Sequence, residues 1–256
     1  LRVRIRNQLL AQYFPEMDRH FGPAVSLAVV RGCLDPSAIA GMEYDEFRRN
    51  VAPGKLNMAQ DKRLRAIWQK APESIGCHVG DAVPFEAQVM VSKLNQVRET
   101  IKAVEDKIEK LCMQFPEYSC LLSIPGFGPD VSSKVLGAIG YPFRFTSGKQ
   151  VLKMAGFDLC AHRSGKASDS ATPVISKQGK ANLRYALYQA ALIASLTNRE
   201  FMTYYTNKLR GRQREKGIGT KMRVKLAAKL LIIAWTLMKK KEPFDPRYLN
   251  QGDIEV

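Results

Sequence analysis

Ten apolar side chains at heptad spacing constrain this chain more than any other feature. Ala87, Leu94, Ile101, Ile108 and Phe115 recur every seven residues, and Val83, Met90, Val97, Val104 and Leu111 repeat with the same period, alternately three and four residues away. Apolar residues at both seam positions over five heptads specify a coiled-coil helix. A lone helix cannot bury such a seam. Residues 83–115 are therefore expected to be covered by a second copy of the chain or by an antiparallel partner within it. The second copy is the preferred reading and makes the protein a homo-oligomer.

The rest of the chain reads as short helices. Residues 1–14 form an amphipathic stretch closed by Pro15, and further pieces are punctuated by Gly22-Pro23, Pro36, Gly41 and Pro53-Gly54. Lys55 to Lys70 is another helix candidate, and a Pro- and Gly-bearing linker occupies residues 72–84, so residues 1–82 read as a helical linker region. After Pro116 the periodicity predicts helices at 118–123, 130–139, 147–155, 178–197, 199–211 and 219–240. The fold class is mainly α: a helical linker and coiled coil followed by an all-α domain over residues 116–256. One long connection, residues 156–177, interrupts that domain, and long connections in compact domains tend to be functional.

Charge narrows the partner. The chain carries 40 Lys and Arg against 24 Asp and Glu, a net charge of +16. The excess is concentrated late: residues 116–256 hold 23 basic and 10 acidic side chains, and residues 199–241 hold 13 and 2. A solvated surface usually mixes its signs, so this block points to a polyanion, most often nucleic acid. Cys33, Cys77, Cys112, Cys120 and Cys160 form no CxxC pair and only three histidines are present, so zinc-finger spacing is absent and no metal site is read from the chain. The apolar run Leu226 to Met238 is broken by Lys229 and is too short for a membrane span.

Three segments could carry chemistry. Leu121 to Gly140 (LLSIPGFGPDVSSKVLGAIG) has the form of a helix-hairpin-helix, in which Gly126 and Gly128 would let the backbone approach a phosphate. A packed αα-hairpin is the plainer alternative. In the long connection, Ser164 lies beside His162, Arg163 and Lys166, and a serine among cations could attack a phosphodiester. Taken alone, Ser-Gly is more often a turn. The third segment runs from Ile175 to Arg184 (ISKQGKANLR). There Ser176 would cap a helix whose first turns carry Lys177, Lys180 and Arg184, a phosphate-binding arrangement; an ordinary capped helix with solvated bases is the alternative.

Taken together, LLSIPGFGPDVSSKVLGAIG, KMAGF, HRSG, ISKQGKANLRYALYQAA and the ending PFDPRYL resemble the "IS one-ten / IS eleven-eleven" insertion-sequence transposases, a group that includes bridge-RNA-guided recombinases. The resemblance is close over residues 116–249. It implies a C-terminal transposase domain that cleaves and joins DNA through a covalent phosphoserine intermediate, with Ser164 as nucleophile. It also implies Lys177, Gly179 and Arg184 as nucleic-acid contacts, beside Arg163, Lys166, Lys180, Gly126 and Gly128 read above from the residues themselves, with DNA and a guide RNA as partners and a cytoplasmic, nucleoid-associated prokaryotic location. Family members also carry an acidic RuvC-like domain that binds divalent metal. Asp18, Asp35, Asp45 and Asp61 lie among short helices and turns rather than at strand ends. The expectation is thus a fragment that binds no cofactor itself, with Mg²⁺ used by the complete enzyme. The competing reading is a non-catalytic architectural DNA- or RNA-binding module.

Overall fold

The computed structural model describes residues 1–160 and 174–250, and the side chain of Asn250 is outside that description. The described chain is built from helices, as expected, and divides within the long heptad helix into two compact units, Leu1–Ala103 and Val104–Val256.

The first unit opens with α1 (Arg2–Arg4), a π-helical stretch Ile5–Leu10 and α2 (Ala11–Tyr13), then a 3₁₀ segment Pro15–His20. Four helices follow: α3 (Ala24–Gly32), α4 (Pro36–Ala40), α5 (Tyr44–Val51) and α6 (Met58–Lys70). Their starts are written in the sequence. Asp35 accepts from the Ser37 amide with Pro36 in the first turn of α4, and Asn57 and Gln60 form a reciprocal capping box on α6. The core gathers Ile5, Leu9, Phe14, Val29, Phe47, Leu64 and Ile67.

α7 (Ala82–Cys112) spans 31 residues and carries the heptads. Its seam is not uniform. Ala87, Val91 and Leu94 are buried in the first unit's core, with Val83 and Met90 packed against it, whereas Val97, Ile101, Val104, Ile108 and Leu111 remain 43–52% exposed. The chain itself thus covers the first part of the stripe, and the surface left for a partner is shorter than five heptads.

In the second unit, α8 (Pro116–Leu122) and α9 (Pro129–Ile139) are joined by a tight turn, and a 3₁₀ segment Pro142–Arg144 leads to α10 (Gly148–Ala155). β1 (Leu159–Cys160) and β2 (Val174–Ile175) form a two-stranded antiparallel ladder. α11 (Ala181–Thr197), α12 (Arg199–Leu209), α13 (Ile218–Lys240) and α14 (Arg247–Asn250) complete it. α13 is the central element: Leu226, Leu230, Leu231, Ala234, Leu237 and Met238 are buried, and α8, α10, α11 and α12 all pack on it. The apolar run that failed as a membrane span is therefore a core helix. Among the described residues no helix is long and apolar enough to cross a membrane.

Candidate nucleic-acid interface

The α8–α9 turn has an internal reason for one of its two glycines. Gly126 adopts φ +87°, and a Cβ there would stand 2.5 Å from the Ala190 carbonyl oxygen and 3.2 Å from the Ala194 side chain. Ala186, Ala190 and Ala194 recur every fourth residue on α11 and are buried, leaving a smooth channel in which the turn lies, with Ile124 and Phe127 buried on either side. Gly126 therefore faces the protein. Its conformation is required by packing and is no argument for phosphate approach. Gly128 begins α9 in an extended conformation, and a Cβ there would meet nothing within 4 Å.

The ISKQG segment forms a clasp. Leu159 pairs with Ile175 and Cys160 with Val174; the Ser176 hydroxyl donates to Asp158 Oδ1 at 2.6 Å, and the Lys177 amide donates to the Gly156 carbonyl at 3.1 Å. Gly156 ends α10 in the left-handed conformation and Lys177 also has positive φ, so both sides of the clasp turn sharply. Gly179 lies on the end of α10, where a Cβ would come 2.6 Å from both the Gly156 nitrogen and the Met154 carbonyl oxygen. Arg184 Nη1 donates to the Ala155 carbonyl at 2.9 Å, capping the same helix end.

This corrects the reading of Ser176 as a helix cap. α11 starts at Ala181, not 178, its N-cap position is Lys180, and no side chain caps it. Ser176 is spent on Asp158, and the glycine two residues before Ala181 serves helix-end packing. Arg163, Ser164 and Lys166 lie outside the described residues, as does everything between 161 and 173. Their two flanks, however, meet at one place, the β1–β2 ladder.

Beside the clasp, cations from separate elements converge. Lys180 Nζ lies 3.5 Å from the Ala138 carbonyl oxygen, and Arg144 Nη2 donates to the same oxygen at 2.8 Å. Ala138 sits in the last turn of α9, where the helix dipole favours positive charge. Next to them a groove of ≈ 480 Å³ is lined by Ser133, Lys134, Lys180, Asn182 and the uncapped start of α11. Lys134 is held by Asp130 at 2.7 Å, whereas Lys180 and Arg144 have no carboxylate partner among the described residues. The Lys177 side chain is exposed, and no side-chain partner is found for it among the described residues. Sequence reasoning missed Arg144 because its convergence with Lys180 spans 36 residues.

Within the basic block 199–241 several cations are locally engaged. Arg212 is paired with Glu215 at 2.8 Å, Arg223 lies over the Tyr205 ring at 5.2 Å, and Lys240 bonds the Tyr248 hydroxyl. A second groove of ≈ 480 Å³, lined by Arg199, Tyr204, Asn207 and Lys208, opens on α12. Among the described residues no three His, Cys, Asp or Glu side chains come together as a metal site would require.

Residues 118–206 match the model of the transposase IS116/IS110/IS902 family. The similarity to that family lies in this segment. The matched transposase segment runs from α8 to α12 and holds the Gly126 turn, the clasp, the α11 start and residues 161–173 between the strands. The chain is 24% identical over 252 residues to the insertion element IS110 uncharacterized 43.6 kDa protein of Streptomyces coelicolor, an alignment covering 95% of this chain and 60% of that protein. It is 27% identical over 153 residues to the pilin gene-inverting protein of Moraxella bovis, and 26% to that of Moraxella lacunata, covering 58% of this chain and 46% of each relative. The chain thus spans about half the length of the curated relatives it matches.

Proposed function

We propose that this chain acts in DNA strand exchange, with Ser164 as the nucleophile. The observation that carries the reading is the clasp: within the matched transposase segment, it roots both ends of residues 161–173 beside Lys177, Lys180 and Arg144. A serine tethered there has cations close to its base, as attack on a phosphodiester requires. In the step, the Ser164 oxygen bonds to phosphorus as the bond from phosphorus to a deoxyribose oxygen breaks. The serine proton ends on that leaving oxygen. A hydroxyl of the exchanging strand then attacks the phosphoserine, restoring the serine and a phosphodiester. Lys177 is suited to the phosphate, whereas Arg184, already bound to Ala155, positions the turn.

The resemblance also implies Mg²⁺. The described residues do not offer a fitting donor set, so no step is routed through the ion. A guide RNA is the second partner the resemblance implies, and the exposed groove on α12 has the basic and aromatic lining that structured RNA uses. The exposed part of α7, Val97 to Leu111, is proposed to pair with the same stripe of a second copy, because its heptad spacing is self-complementary.

The test separates chemistry from a purely architectural role. The protein, expressed as its gene encodes it, is incubated with DNA carrying the ends of its own element and then denatured. Covalent DNA on wild type, lost in Ser164→Ala while duplex affinity is unchanged, supports the proposal. An adduct that persists in Ser164→Ala sinks the assignment, and duplex binding by wild type with no covalent DNA leaves the architectural module.

A further inference from the structure

The segment between α9 and α10 displays aromatic rings that the proposed chemistry does not use. Gly140 ends α9 at φ 58°, ψ −123°, a backbone region open essentially to glycine, and turns the chain outward. Tyr141 follows at 69% exposure and Phe143 at 53%, their ring centroids 5.5 Å apart and tilted by 44°. Between them Pro142 is buried, and its carbonyl accepts from Trp235 Nε1 of α13 at 2.8 Å. Arg144, one residue on, is tied to Ala138. The two rings are thus held out by a backbone fixed at three points. Lys239 Nζ lies 5.4 Å from the Phe143 centroid and 4.3 Å from that of Trp235, and Arg144 and Lys180 share the Ala138 carbonyl. Among the described residues none of these three cations is paired with a carboxylate, and Glu117, in the adjoining apolar groove with Tyr141, is already bound to Lys241 at 3.6 Å.

We propose that Tyr141 and Phe143 form a stacking platform for unpaired bases of a single nucleic-acid strand, whose phosphates lie toward Arg144, Lys180 and Lys239. Exposed rings flanked by unneutralised cations suit a ligand with flat apolar faces and a regular negative charge. A protein partner would gain from the rings but would have to neutralise or desolvate three cations. Duplex DNA would meet the cations while its bases stay stacked on one another. The proposal rests on the reading of the chain as a nucleic-acid-handling protein and adds which strand state it holds, and where.

The experiment measures binding of fluorescent oligothymidylate, oligouridylate and a duplex of equal length, with 2-aminopurine as a stacking reporter. Tyr141→Ala/Phe143→Ala should weaken single-strand binding by roughly five- to a hundredfold per stacked base and abolish 2-aminopurine quenching. Duplex affinity should stay within about twofold. The exchange Tyr141→Phe/Phe143→Tyr should bind as wild type, and an unchanged far-ultraviolet circular dichroism spectrum of the alanine variant would show that the fold is intact. Comparison of the two oligonucleotides tells DNA from RNA. Equal losses on single strand and duplex, or no loss at all, would overturn the platform. So would an alanine variant that changes only sedimentation, which would make the rings a protein interface. None of these outcomes touches adduct formation at Ser164, so the two proposals fail separately.

Discussion

Gly126 and Gly179 are positions where the choice of residue is dictated by atoms far away in sequence, and neither reason can be read from a motif. A Cβ at Gly179 would stand 2.6 Å from backbone atoms of Met154 and Gly156, which cannot swing aside. Gly179→Ala should therefore cost about 1–3 kcal/mol in urea unfolding, as overpacking does. Gly137, inside α9 with nothing within 4 Å of a Cβ, is the contrast: Gly137→Ala should gain about 0.5–1 kcal/mol. A neutral Gly179→Ala would mean the clasp is looser than its geometry. Tyr44 gives a pH prediction. Burial, then the hydrogen bond to Asp61 at 2.7 Å, push its phenol up to about 12. The folded state holds the proton more tightly than the unfolded chain, whose tyrosines titrate near ~10. The stabilisation is full below that pH and is lost as pH rises through about 12. Between pH 8 and 11 the stability of wild type should fall more than that of Tyr44→Phe, and parallel curves would contradict the coupling.

At the scale of elements, the helices after Pro116 were legible because apolar periodicity and Pro or Gly boundaries are local signals. The expected starts of α9, α10 and α13 fall within a residue of those observed. The start of α11 was not legible, because Ser176 looks like a cap but has Asp158 within 2.6 Å, and only the folded chain brings that carboxylate there. The hairpin was visible as two helices and a glycine turn, whereas which way Gly126 faces depended on the alanine channel of α11. The heptads showed a helix but could not show that its first seam residues would be covered from within. Ile101→Glu/Ile108→Glu tests the exposed remainder. Each removed side chain would give up roughly 1.5–3 kcal/mol of burial if a second copy covers it. The expected outcome is a monomer by sedimentation equilibrium with unchanged helix content; a wild type already monomeric at high micromolar concentration would defeat the pairing.

For the molecule as a whole, the lopsided charge was legible but its placement was not. Arg212 and Arg223, clustered in sequence, are engaged by an ion pair and an aromatic ring, while Arg144 and Lys180, far apart in sequence, are gathered on Ala138. Binding should remain strongly electrostatic, with duplex affinity falling steeply between ~50 and ~200 mM salt. Deleting everything after residue 198 is no test of this, because α13 supplies the core. Exposed Lys221 and half-exposed Lys225 are better targets, and Lys221→Gln/Lys225→Gln should lower the log–log salt slope by about one to two units. An unchanged slope would remove the start of α13 from the interface.

The central claim is that Ser164 becomes joined to DNA. Tryptic mass spectrometry of the denatured reaction between the protein, as its gene encodes it, and its element's DNA ends reads that bond directly. The account predicts a nucleotide phosphate on the peptide containing Ser164 and none in Ser164→Ala. The adduct on Ser168, Ser170 or Ser176 instead, or strand exchange that proceeds with no adduct on any serine, would contradict it.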